Sequence, residues 1–307
     1  RGSYAFAMMF RDFPDSLFVA RKDSPLIIGQ NGDGCYIASD VPAILDSTRT
    51  VYYIGNLEMA QLTAGAVHFY NIDREEIEKE PVQIQEAVFV MDRFGYCKLL
   101  DKGTYERNKE TVDTEQVHVI PCLTTDKICL FAASGNMYQI KAADVPAGKL
   151  RDKGIPIENI SKYDGTKDSI RFLTCAGSLK GRVLVFATKM GMVKQVPGEE
   201  FETNNRMVAA TKLQEGDEVV TVVPVNGESQ VVLVTTGGVF LKFLLEEISL
   251  FKKASRGVRG IKLAKNEELE QLILLGEDTV LDYKGKEVHL NRLKLAKRDG
   301  KGSKIRL

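Results

Sequence analysis

One pattern recurs five times between Val88 and Val288, and it limits what the chain can fold into more than any other feature. Each copy is an apolar strand, a turn holding glycine, and a second strand with polar or basic positions. The copies run 88–98, 128–138, 183–194, 231–242 and, more weakly, 279–288. Their turn glycines, Gly95, Gly135, Gly191, Gly238 and Gly285, are 40, 56, 47 and 47 residues apart. Glycine at positive φ closes a β-hairpin. A sheet of about 40–50 residues repeated radially is a propeller-like blade. Such a sheet cannot bury both faces alone, so neighbouring blades must supply its core. The expectation for 86–307 is a mainly β domain of five blades.

A second recurring element supports this. Thr211–Val220 follows the third hairpin and Ile261–Leu269 the fourth, each as strand, acidic turn and strand. Both would begin the next blade. Residues 304–307 (Lys-Ile-Arg-Leu) stand in the corresponding place after the fifth hairpin, as a ring-closing strand or an edge.

The zero net charge hides an asymmetry. Residues 1–85 hold 7 Lys and Arg against 12 Asp and Glu, whereas 86–307 hold 35 against 30. Five basic residues and no acid lie between Lys252 and Lys262, and nine stand from Tyr283 onward against Glu287 and Asp299. A neutral chain with a basic end is compatible with local binding of a polyanion, and a solvated basic tail gives the same composition.

Several classes are excluded or disfavoured. No apolar run approaches the roughly 18–20 residues of a membrane-spanning helix, so no membrane partner is expected. The five cysteines (Cys35, Cys97, Cys122, Cys129 and Cys175) never form C-x-x-C and read as reduced, partly buried thiols. His68, His118 and His289 stand far apart, so neither a metal site nor a cofactor is expected. The chain opens at Arg1 without a charged-then-apolar leader and reads as a piece of a longer cytoplasmic product.

Residues 1–85 alternate short β-rich runs with turns. Strands are expected at 4–10, 17–20, 26–29, 35–38, 50–54 and 58–62, with turns at Phe13-Pro14-Asp15, Asn31–Gly34 and Gly65. Val41–Leu45 is expected as a short helix, with Asp40 as N-cap and Pro42 in the first turn. The residues Arg1–Tyr4, Ala20–Gly29 and Ala38–Ala43 resemble the second half of the glutaminase domain of glutamine–fructose-6-phosphate aminotransferase. That resemblance implies a partial α/β, N-terminal-nucleophile-hydrolase-like half domain. The family's chemistry uses an N-terminal cysteine, its α-amine and an oxyanion hole, all in the first half. Cys35 precedes a strand and cannot replace that nucleophile, so no glutaminase activity is expected. Loss of partner strands should leave exposed edges and a less stable unit.

Residues 86–307 resemble the C-terminal domain of the A subunit of DNA gyrase and topoisomerase IV. The resemblance is carried by Gly191-Met192-Val193-Lys194 with Phe201, by Lys212-Leu213 with Gly216-Asp217, and by Arg256–Leu263. It implies a β-pinwheel with double-stranded DNA bent around the outer rim and held by its phosphates. It also implies a bacterial, nucleoid-associated setting, with the breakage-reunion core of the A subunit and the ATPase subunit as partners. No catalytic residue is expected here, and Tyr96, Tyr105, Tyr138, Tyr163 and Tyr283 read as core or surface tyrosines. Where gyrase has a basic, glycine-rich box, Tyr105–Asp113 is a loop of mixed charge without glycine. A topoisomerase IV-like subunit, or a gyrase-like paralogue lacking the box, therefore fits better than one that wraps DNA with strong chirality.

The expected phosphate contacts are Lys252, Lys253, Arg256, Arg259 and Lys262, then Lys297, Arg298, Lys301, Lys304 and Arg306. Lys98, Lys194 and Arg206, in equivalent places on earlier blades, are secondary candidates. The competing readings are an inactive glutamine amidotransferase fragment and a propeller used for protein–protein contacts.

Overall fold

The computed structural model describes residues 2–305, and the chain divides into two units, one ending at Glu86 and one beginning at Ala87. In the first unit two antiparallel sheets share one core. One sheet runs, in spatial order, Tyr4–Phe10, Phe13–Lys22, Met59–Leu62, Val67–Tyr70 and Glu76–Ile77. The other runs Gly34–Ala38, Ile27–Asn31, Thr50–Tyr53 and Val82–Gln83. Val19, Ile28, Ile54, Leu62 and Phe69, drawn from both sheets and their connections, pack together.

Two local expectations are corrected here. Phe13-Pro14-Asp15 is strand rather than turn, because the hairpin reverses at Arg11-Asp12 and pairs Phe10 with Phe13. Val41–Leu45 closes as successive turns, so the described part of this unit contains no helix and is β rather than α/β. The reason is packing: buried Ile44 lies directly over Gly29, which pins the segment flat on its sheet. Tyr4–Phe10 is an edge strand exposed along its whole length.

The second unit holds four four-stranded blades. In spatial order, blade one is His118–Leu123, Glu86–Met91, Tyr96–Asp101 and Ile155–Pro156. Blade two is Ile170–Cys175, Lys127–Ala132, Asn136–Lys141 and Met207–Ala209. Blade three is Val219–Pro224, Val183–Thr188, Met192–Pro197 and Val258–Arg259. Blade four is Leu269–Leu274, Gln230–Thr235, Val239–Leu244 and Ser303–Lys304. Among the described residues the fifth blade is a hairpin only, Val280–Tyr283 with Lys286–His289.

Period-two alternation explains why the hairpin strands are apolar throughout. In blade two, Ile128 and Leu130 pack toward blade one, while Cys129 and Phe131 pack toward blade three. In blade three, Leu184 and Phe186 face backward while Val185 and Ala187 face forward. Val231 and Leu233 of blade four look toward blade three, and Val232 and Val234 cover the fifth hairpin with Tyr283 and Leu290.

Blade one has no earlier blade within its unit. Val88, Val90 and Leu100 are covered there by Val112, with Tyr105 and Leu150 beside them. Val112 belongs to the second of two short helices, Lys102–Arg107 and Lys109–Glu115. The mixed-charge loop expected at Tyr105–Asp113 is thus helical. Asp101 caps the first helix by accepting from Thr104 N at 2.8 Å, and burial of Val112 holds the second in place.

Candidate nucleic-acid interface

Each of blades one to four borrows its last strand from residues that follow the next hairpin. The registers agree: Cys97 pairs with Ile155, Met137 with Val208, Val193 with Val258, and Phe240 with Ser303. The strands at the opposite side of each sheet touch one another from blade to blade, which puts them inside. The borrowed strands therefore form the outer edge. Two residues before each paired position stands an exposed cation: Lys153, Arg206, Arg256 and Lys301. One basic side chain thus occupies the same register position on four successive blades.

In three of these loops the cation precedes a glycine whose backbone touches the hairpin. Gly154, Gly257 and Gly302 lie at φ +79°, +81° and +67°, and a Cβ on any of them would run into the carbonyl of Cys97, Val193 or Phe240. Only glycine lets the loop turn there against the blade.

The structure divides the ten principal candidates. Lys252, Arg256, Lys262, Lys297, Lys301 and Lys304 are exposed. Lys262, Lys301 and Lys304, with Lys265, line a groove of about 680 Å³ beside blade four. Three others are already engaged. Lys253 reaches the Glu200 carbonyl, and Arg298 donates to the carbonyls of Glu247 at 2.9 Å and Arg259 at 2.6 Å. Arg259 forms a two-pronged ion pair with Asp299, which raises the arginine's proton affinity and lowers the carboxyl's pKa. Arg306 lies outside the described residues.

Lys98 and Lys194 are corrections. Both are buried, and each amine is spent on three loop carbonyls, so neither can reach a phosphate. Lys98 Nζ donates to Lys149, Leu150 and Asp152, and Lys194 Nζ to Ala210, Lys253 and Ser255. Burial pushes the Lys194 amine down to about 7, with Glu200 acting in the opposite sense. Lys153 is hidden in the sequence because its loop mixes Arg151 with Asp152. The signal that marks it is the basic–glycine pair shared by Lys153-Gly154, Arg256-Gly257 and Lys301-Gly302.

The remaining chemistry is quiet. All five cysteines are free, and burial raises Cys97 and Cys129 to about 12 and Cys122 to about 11, leaving protonated thiols. Cys35 lies within a strand of the first unit, where burial also raises its thiol. No cluster of metal-ligating side chains occurs among the described residues. Tyr138 and Tyr163 pack edge-to-face at 5.7 Å, Tyr283 is buried against Phe240, and the Tyr105 hydroxyl meets Asp113. Among the described residues no helix is long and apolar enough to cross a membrane.

Comparison with known proteins agrees with this architecture. Residues 182–226 and 229–275 match the family model of the DNA gyrase C-terminal domain, beta-propeller. The crystal structure of the C-terminal domain of DNA topoisomerase IV superposes with a TM-score of 0.65 at 22% identity, over 73% of each chain. The A subunit of DNA gyrase from Mycoplasma genitalium is 24% identical over 251 residues, covering 76% of this chain and 30% of that protein. Glutamine–fructose-6-phosphate aminotransferase of Clostridium acetobutylicum is 43% identical over 119 residues, covering 39% of this chain and 20% of that protein. The chain thus spans less than a third of the length of either relative.

The second unit has the β-pinwheel fold seen in the C-terminal domain of DNA topoisomerase IV. Its more particular likeness, through the two matched repeats, is to the domain of that kind in DNA gyrase. The aminotransferase likeness is longer than the first unit and shares residues with the gyrase likeness, since the two shares together exceed the chain. It therefore runs beyond the end of the first unit at Glu86.

Proposed function

We propose that the second unit binds duplex DNA along its outer edge, without reading sequence, and bends it from blade to blade. The observation that carries this reading is the exposed cation at one register position in four blades, Lys153, Arg206, Arg256 and Lys301. Lys252, Lys262, Lys297 and Lys304 add charge beside blades three and four. Bending 20–30 bp costs about 1–6 kcal/mol, so contacts spread over several blades are needed to offset it. The helices at Lys102–Glu115 stand where gyrase would carry its basic box, which favours a general grip over strong chiral wrapping.

In this reading the pinwheel serves the A subunit of a topoisomerase IV- or gyrase-like enzyme, alongside a breakage-reunion core and an ATPase subunit, at the bacterial nucleoid. The first unit is related to the second half of a glutaminase domain, and among the described residues the fifth blade is a two-stranded hairpin. The test is binding to a duplex of about 40 bp across a salt series, where four neutralised phosphates give a log–log slope of about −3.6. A flat slope, or no binding at about 50 mM salt, overturns the reading.

A further inference from the structure

We infer that Lys98 and Lys194 are positioning residues that hold the phosphate-binding loops of blades one and three in register, Lys98 through three carbonyls of its loop and Lys194 through two, with the Ala210 carbonyl behind the last strand of blade two as its third acceptor. The inference rests on the proposed DNA-binding role and deepens it.

The two lysines are equivalent. Lys98 pairs across its hairpin with Val90 and Lys194 with Phe186, one step inside the turn-proximal pairs Met91–Cys97 and Ala187–Val193. Each reaches outward beneath the loop that supplies its blade's last strand. The Lys194 amine takes the carbonyls of Lys253 at 2.6 Å and Ser255 at 2.9 Å, and that of Ala210 at 3.0 Å. Lys98 takes those of Lys149 at 3.0 Å and Leu150 at 2.7 Å, and that of Asp152.

Loop backbone is thereby turned inward while side chains next to the pinned carbonyls point to solvent. Lys252 and Arg256 flank the pinned stretch in blade three, and Lys153 follows it in blade one. An inward carbonyl that loses its donor must seek water, and the loop must lift to reach it. Blades two and four place Tyr138 and Leu241 at this position, and there Lys127 and Lys242 each reach a single backbone carbonyl, of Thr203 and Asn291. A preorganised loop presents its cations without an ordering cost at binding.

A double-mutant cycle on the full chain tests this. Lys194→Met keeps the apolar stem and removes the donor, while Arg256→Ala removes the presented cation. Duplex affinity is measured for both and for the pair, with amide exchange of residues 252–257 in DNA-free protein. Lys194→Met is expected to speed that exchange and to weaken binding on the order of tenfold. Adding Arg256→Ala should then cost little more, because the cation is already misplaced. Full additivity of the two losses, or unchanged exchange in Lys194→Met, overturns the inference. If Lys194→Met does not fold, Lys98→Met with Lys153→Ala carries the same cycle in blade one. Failure of the wild type to bind DNA would sink the proposed function, while exchange separately reports whether the pin exists.

Discussion

Arg259 and Asp299 join blades three and four, with Nη2 of the arginine 2.9 Å from Oδ2 of the aspartate. The arginine sits on the borrowed strand of blade three and the aspartate in the loop leading to that of blade four. A cation expected from sequence to face DNA is therefore neutralised within the protein. Asp299→Asn would release Arg259 and remove a negative charge from the basic edge. Duplex affinity at low salt is expected to rise by about two- to fivefold, with the salt slope steeper by about one. Unchanged affinity by fluorescence anisotropy would show that Arg259 stays off the DNA path.

Alanine at Lys153, Arg206, Arg256 or Lys301 removes one register-equivalent cation without touching the core. Each substitution is expected to lower the log–log salt slope by about one and to weaken binding alike for unrelated sequences. Lys286→Ala, on the isolated fifth hairpin, is the control and should leave the slope unchanged. Equal effects from all five would indicate diffuse attraction rather than a defined path.

Much of this architecture was legible because the repeat unit carries its own physics. Glycine turns mark the hairpins, and the unbroken apolar runs from Ile128 to Ala133 and Val231 to Val234 follow from blades packing on both faces. The borrowed strands were not legible. Val258–Arg259 and Ser303–Lys304 are two residues long, and their partners lie over sixty residues earlier, so no local pattern announces the pairing. The phosphate-facing candidates were half legible for the same reason. Sequence reports that Arg259, Arg298 and Lys253 are basic, but their commitment to Asp299, Glu247 and Glu200 is set by tertiary contact. Lys98 and Lys194 misled because a basic residue on a strand ordinarily faces water, whereas here loop carbonyls replace it.

Gly257 and Gly285 separate close approach from backbone strain. Both lie at positive φ, +81° and +78°, but a Cβ at Gly257 meets the Val193 carbonyl and Lys194, whereas Gly285 faces open space. Gly257→Ala is expected to cost on the order of 3 kcal/mol in denaturant unfolding, combining strain with displacement of the loop. Gly285→Ala should cost about 1 kcal/mol, the strain alone. Equal losses would contradict the close packing of the blade-three loop on its hairpin.

His118 begins the inner strand of blade one, and burial lowers its pKa below the ordinary imidazole value of 6.5. The sign of its linkage follows. Below pH about 6.5 the unfolded chain takes up the proton first, so acidification favours unfolding until the folded-state pKa is also passed. This contribution is fully present above the unfolded pKa and is lost progressively as the pH falls. Thermal melts of the wild type at pH 7.5, 6 and 5 should therefore fall more steeply than those of His118→Gln, which has no proton to gain. Parallel curves for the two proteins would remove His118 as the cause and move the acid sensitivity to the carboxylates.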